Sequence, residues 1–468
     1  MLYPRLGSWF AATMLLSVCA VGACGGGDNG TAAPTGDVEG GPAEAGTGAD
    51  TASGDGPMLA DSSSDAALDA DASPLSPSFV YRDINHVLST GQSLSVGALG
   101  TPTRSLTQPY ANTMFVTGVM TGSVGLTSFV PLVEGAPAPD VETMSSSFAS
   151  LVTKVARDVV LVGQPMGKTS HDLLISGHGV GGIAYVGLKK GTVPYANGIA
   201  QAKAGHDLAL AANKSHVVRA VTNVHGESDS QVNNVAYEAN LLEWQSNYET
   251  DVKAITGQVE PIPMLHTQIS SWTSLAGLPT TSIIPSAQLA AHVNAPGKIV
   301  LVGAKYHLPY VTDGVHLTNE GYRHMGEDYA KVYRRVILEG KPWEPIHPKT
   351  ITRAGAVITV KMHVPAPPLV LDTTIVTNPG NFGFEWVSDV PVPTITSVVL
   401  SGADTVVITL SAVPGANGRL RYAFTGTSGA RGGPTTGPRG NLRDSDTTPS
   451  RNGYALYNWG VHFDVPAP

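Results

Sequence analysis

The sequence predicts an α/β domain, a parallel sheet covered by helices, followed by a C-terminal all-β, sandwich-like domain. From Phe79 to about Pro345 short apolar runs alternate with patterns of helical period. Beyond Pro345 alternating runs succeed one another at turn-marked intervals with few helix signals. A length of 468 residues with 14% charged residues leaves room for more than one domain and a large core.

The chain opens on a short basic stretch, Met1 to Arg5, and an apolar run from Trp9 to Ala23 that has the length of a signal-peptide core rather than a membrane span. Val21-Gly22-Ala23-Cys24 resembles a bacterial lipobox, which implies cleavage before Cys24 and lipidation of that cysteine. The alternative is an ordinary secreted chain cut after Ala23. Residues 24–77 are rich in Gly, Ala, Ser, Thr, Pro and acid and poor in large apolar groups, as expected of a disordered, self-repelling tether. Its acids, from Asp28 to Asp71, match the net charge of −9 in size, so the remainder is close to neutral. That balance argues against a nucleic-acid partner. Cys19 and Cys24 are the two cysteines, which excludes a disulfide, a Cys nucleophile or a Cys-ligated metal from the rest of the chain. Nothing later reads as a bilayer span, so membrane contact is expected only through the lipid. The expected location is the bacterial cell envelope, lipid-anchored at the outer membrane or cell surface, or the secreted fraction.

Between residues 78 and 345, strands are expected at Asn85 to Leu88, Asp172 to Ser176, Val217 to Val224, Ile262 to Gln268 and Lys298 to Val302. Phe148, Leu151, Val152 and Val155 recur at helical spacing. A last helix over Asn319 to Leu338 repeats Tyr322, Met325, Tyr329, Val332 and Val336 on one face and sets Arg323, Glu327, Lys331 and Arg335 outside. In residues 346–468, strands are expected at Ile351 to Val364, Thr394 to Leu400, Thr405 to Leu410 and Leu420 to Phe424, with Gly426 to Arg443 as a long surface loop. Trp386, Tyr457 and Trp459 read as core or interdomain packing, with stacking on sugar rings as the alternative.

Four segments carry chemistry. The first strand ends at Gly91-Gln92-Ser93-Leu94-Ser95, a serine where a strand hands over to a helix, without the second glycine of a G-x-S-x-G elbow. Thr312-Asp313-Gly-Val-His316 sets a carboxylate and an imidazole three residues apart before the last helix, where the acid can hold the ring tautomer for proton abstraction. By itself such a pair also fits a helix-cap network. Val224-His225-Gly226-Glu227-Ser228-Asp229 closes a central strand. Ser176-Gly-His-Gly-Val-Gly-Gly182 spells G-x-G-x-x-G after another strand, but it is not in the first βα unit and lacks a clean acid about twenty residues on, which counts against a dinucleotide site.

In this order the four segments resemble blocks I, V, III and II of the SGNH (GDSL) hydrolases, in the sialate O-acetylesterase and carbohydrate-esterase branch. Gln92 matches that branch's G-Q-S-N, with Leu94 in place of Asn. His225 stands in place of the Gln of Q-G-E-S-D. The resemblance covers about Asn85 to Gly340 and implies a three-layer SGNH domain with Ser93 as nucleophile, His316 as base and Asp313 orienting the ring. It further implies an oxyanion hole from the backbone N–H of Ser93, a glycine N–H of Gly181 or Gly182, and a donor from His225. Glu227 and Asp229 are expected to anchor neighbouring loops.

No cofactor is implied, and an acylated carbohydrate or polysaccharide is the expected substrate. His225-x-Glu227 lacks the P-C-x-x-C partner of a zinc deaminase. Asp313, His316 and His307 as ligands of a catalytic metal form the alternative of another mechanistic class, although His307 is expected to line the cleft. The alternative to an enzyme is a catalytically inactive glycan-binding surface lipoprotein on the same scaffold.

Overall fold

The structure, a computed structural model, describes residues 75–135 and 140–467. The expected signal peptide, Cys24 and all of the tether before Leu75 lie outside the described residues. Leu75 to Pro77, assigned to the tether, already dock on the folded body: Leu75 packs against the core and the Ser76 N–H donates to the Leu338 carbonyl at 2.8 Å.

The α/β part contains β1 (Ile84–Gly91), β2 (Thr113–Phe115), β3 (Phe129–Pro131), α1 (Ser145–Val155), β4 (Leu173–Gly177), α2 (Val193–Ala211) and β5 (His216–Val224). It continues with α3 (Glu227–Gln231), α4 (Tyr237–Thr256), β6 (Met264–His266), α5 (Ile284–Asn294), β7 (Ile299–Leu301) and α6 (Asn319–Tyr333). The seven strands form one sheet in the order β3-β2-β4-β1-β5-β6-β7, parallel except for β3 against β2. Alternation along β1 decides the layers. Val87 enters a core with α1 and α6, while Leu88 enters the opposite core with α2 and α4. Phe148, Leu151 and Val152 of α1 meet Tyr322, Met325, Tyr329 and Val332 of α6 in the first of these cores. Thr318 caps α6, its Oγ1 accepting from the Gly321 N–H at 3.1 Å, and a π-turn at Arg334–Leu338 extends the helix to the expected end.

Two expectations for α6 differ from the structure. Glu327 and Lys331, assigned to the outer face, are buried. The C-terminal segment covers them: Glu327 accepts from the backbone N–H groups of Arg451 and Asn452 at 3.1 Å, and Lys331 Nζ reaches Asn458 Oδ1 at 2.8 Å and Asp446 at 3.2 Å. Helical spacing marked them as polar, but not that a distant segment would satisfy them.

The C-terminal part holds β8 (Pro348–Ala354), β9 (Val357–Met362), β10 (Val370–Leu371), β11 (Phe384–Val387), β12 (Ile395–Ser401), β13 (Thr405–Leu410), β14 (Arg419–Tyr422), β15 (Leu442–Arg443) and β16 (Phe463–Pro466). All pairings among them are antiparallel, in sheets ordered β12-β13-β9-β8, β11-β14-β16 and β10-β15. Ile358, Val360 and Ile408 share a core with Phe384, Leu420, Tyr422 and Phe463, and that core also takes Leu289, Leu301, Ala304 and Tyr306 from the α/β part. Trp386 and Trp459 are buried, and Tyr457 lies under the Arg443 guanidinium at 3.7 Å, so all three pack rather than present a stacking platform.

Candidate active site

The carboxyl ends of β1, β4, β5 and β7 open on one edge of the sheet, where open parallel sheets place their sites, and each strand sends out one of the chemical segments. Ser93 lies two residues beyond the central strand β1. The expected handover to a helix does not occur: Ser93 to Gly97 form successive turns, with the Ser95 N–H donating to Gln92 O at 2.8 Å and the Ala98 N–H to Ser93 O at 3.0 Å. Gln92 is tied to β5 and its exit, donating its N–H to Val224 O at 3.1 Å and accepting from the Ser228 N–H at 3.2 Å.

The glycine segment after β4 folds directly over this turn. A Cβ on Gly181 would lie 3.7 Å from the Ser93 Cβ. A Cβ on Gly179 would come within 2.0 Å of Ser95 Oγ and 2.9 Å of Gly91 O, so this glycine is required by close approach between two loops. Packing thus accounts for Gly177 and Gly179 of the G-x-G-x-x-G spelling and a φ of +71 for Gly182, which leads into a single 3₁₀ turn at Tyr185–Gly187 rather than the helix of a dinucleotide site. The N–H groups of Ser93, Gly181 and Gly182 make no hydrogen bond among the described residues.

Asp313 and His316 form a local unit on the loop after β7. The His316 Nδ1 lies 2.6 Å from Asp313 Oδ2, while Asp313 Oδ1 accepts from the backbone N–H groups of Val315 at 2.8 Å and His316 at 3.0 Å. Burial alone would raise the Asp313 carboxyl, but the bonds from the His316 ring and the two N–H groups outweigh it and hold the group below its ordinary value. An ionised Asp313 accepts the hydrogen bond from Nδ1–H and fixes that tautomer, which leaves Nε2 with its lone pair and no partner among the described residues. The segment after Ser93 abuts the start of α6, just past His316: Tyr322 Oη donates to Ala98 O and Asn319 Nδ2 to Pro102 O, both at 2.7 Å.

His225 differs from the expectation. Its ring is buried, with Nδ1 2.8 Å from Tyr237 Oη and Nε2 3.0 Å from the Ile183 carbonyl. A carbonyl only accepts, so Nε2 carries the proton and Nδ1 accepts from Tyr237. No N–H remains for an oxyanion. Asp229 and Glu227 are anchors: Asp229 accepts from the Tyr185 N–H at 2.9 Å and Asn234 Nδ2 at 2.6 Å, and Glu227 pairs with buried Lys305 at 2.8 Å.

The metal set of Asp313, His316 and His307 is not assembled. His307 is buried, bonds Asp328 at 3.3 Å and stacks on Trp459, so it does not line the cleft. The expected surface loop after Gly426 instead lies against the site's surroundings. Gly429 N–H donates to Thr273 O at 2.8 Å and Gly432 N–H to Gly314 O at 2.9 Å. Composition marked that segment as a loop but carried no signal for its partner.

Residues 164–335 match the model of the family described as carbohydrate esterase, sialic acid-specific acetylesterase. That stretch of the α/β part is similar to the carbohydrate esterases. The matched stretch contains Gly181, Gly182, Asp313 and His316, while Ser93 precedes it. The chain is similar in fold to XAC1771, a carbohydrate acetylesterase from Xanthomonas citri, at 14% identity over 81% of this chain and 80% of that one, with a TM-score of 0.53. Weaker similarities include a protein from Arabidopsis thaliana, at 17% identity over 53% of this chain and 98% of that one and a TM-score of 0.39. Est24, a carbohydrate acetylesterase from Sinorhizobium meliloti, matches at 14% identity over 53% and 97%, with a TM-score of 0.29. No curated protein matches the sequence.

Proposed function

We propose that this chain is an esterase that removes O-acetyl groups from a carbohydrate outside the cell by a Ser93, His316, Asp313 mechanism. The observation that carries this reading is the 2.6 Å bond from His316 to Asp313 beside a partner-free Nε2, on the sheet edge that also bears Ser93. Ser93 Oγ attacks the acetyl carbonyl carbon and its proton passes to His316 Nε2, while Asp313 stabilises the imidazolium and stays ionised. The N–H groups of Ser93 and of Gly181 or Gly182 bind the oxyanion. Collapse breaks the ester bond, His316 returns the proton to the departing sugar oxygen, and water then releases acetate from Ser93 by the same steps in reverse.

In this reading the C-terminal β part shapes the cleft through the Gly426–Gly440 segment, and a lipid on Cys24 holds the enzyme at the cell envelope. A fluorophosphonate probe tests the nucleophile. Labelling of the wild-type chain that disappears in Ser93→Ala is expected, together with turnover of acetylated polysaccharide that Ser93→Ala and His316→Ala each lower by several orders of magnitude. The double variant should be little worse than either single one, because triad members act as a unit. A folded chain that retains glycan but takes no label would replace this reading with the binding module.

A further inference from the structure

His307, His324 and Asp328 meet away from the Asp313 and His316 pair, each offering one ligand atom, and the three atoms lie within 4.8 Å of one another. His324 and Asp328 stand four residues apart on α6, so helical period sets them on one face. His307 reaches them from the segment that leads to Asp313. We propose that these three side chains form a binding site for a divalent zinc-class metal, which ties that segment to α6.

Four observations support it. His307 Nε2 and Asp328 Oδ2 are 3.3 Å apart, the edge of a tetrahedron around zinc with bonds of about 2.0–2.1 Å. Both rings are already oriented, His307 stacked on Trp459 at 5.7 Å and His324 on Tyr454 at 4.7 Å, so little freedom is lost on binding. His324 Nε2, His307 Nδ1 and Asp328 Oδ1 are buried without a hydrogen bond, a concentration of unmet polar atoms that native interiors avoid unless it serves a purpose. A small cavity lined by His307, Asp328, Thr267 and Asn458 adjoins the cluster and offers a fourth position to water. Lys331, 3.8 Å from Asp328 Oδ1, is already met by Asp446 and Asn458.

A second group, His292, Glu344 and His347, satisfies itself. Glu344 Oε2 lies 3.2 Å from His292 Nε2 and 3.1 Å from His347 Nε2, and its side chain is 44% exposed. It therefore serves as the control location.

The full chain, stripped with chelator and titrated with zinc alone, should bind one ion in this site and melt several degrees higher at saturating zinc. His324→Gln, checked for folding by hydrolysis of a small ester, should weaken zinc binding more than roughly a hundredfold. Wild-type chain loaded with cobalt(II) should show the visible d–d bands of a four-coordinate site, a readout independent of how any variant folds. A stripped chain that takes up neither metal overturns the proposal. So does zinc binding that survives His324→Gln and is lost in His292→Gln.

Discussion

The backbone N–H of Gly432, from the C-terminal β part, donates to the carbonyl oxygen of Gly314 at 2.9 Å. Gly314 is the residue after Asp313, so a residue more than a hundred positions away braces the peptide between the proposed acid and base. Gly314 has φ +71, and a Cβ there would stand 2.3 Å from Arg431 Cβ. Gly314→Ala must therefore displace the loop, and kcat on a small ester should fall on the order of a hundredfold. Activity within a few fold of wild type would show that the brace does not position His316.

Ending the chain after Pro345 should expose Leu289, Leu301, Ala304 and Tyr306, which share a core with the β strands. The truncated protein is expected to aggregate rather than form an autonomous catalytic domain. A monomeric, active truncated chain in gel filtration would contradict this.

His225→Ala removes a hydrogen-bond partner from each of Tyr237 Oη and the Ile183 carbonyl and leaves a void where the buried ring stood. Stability should drop by about 2–4 kcal/mol, while kcat stays within a few fold of wild type. A large fall in kcat at unchanged melting temperature would return His225 to the oxyanion hole.

Lys305 and Glu227 form a buried ion pair of 2.8 Å beneath the site. Lys305→Met strands the carboxylate and should cost about 3–5 kcal/mol in urea unfolding, with Glu227→Gln in the same chain recovering much of the loss. Purely additive losses in the double variant would show that the two charges do not compensate each other.

Glu134 is buried, and desolvation, with Glu142 nearby, pushes its carboxyl up to about 7 from an ordinary 4.5. Between those values the folded chain holds a proton that the unfolded chain has lost, so stability from this group is complete below pH 4.5 and is lost as pH rises through 7. Glu134→Gln should therefore gain stability relative to wild type between pH 5 and pH 8, by up to about 3 kcal/mol. Parallel urea midpoints for the two proteins would sink the assignment.

Strands β1, β4 and β5 were legible because each carries a short apolar run, and their burial on both faces is why the run is continuous rather than alternating. β6 and β7 are shorter than their apolar stretches, and β2 and β3, three residues each, carry no periodic signal because pairing at the sheet edge defines them. His307 stands out in the sequence, but beside Asp313 and His316 of the same loop. Its actual neighbours lie on α6, where His324 and Asp328 carry no signal beyond their spacing of four.

What the sequence determined by itself is what short-range physics decides. The alternation of apolar runs dictated the layered sheet, and three residues of spacing between Asp313 and His316 were enough for a loop whose own N–H groups orient the carboxylate. Tertiary structure decided which polar groups are free. His225 lost its N–H to a carbonyl 42 residues away, and Glu327 and Lys331 were claimed by a segment more than 120 residues on. A buried donor or acceptor takes whatever partner the fold brings within reach, and sequence spacing does not encode that reach.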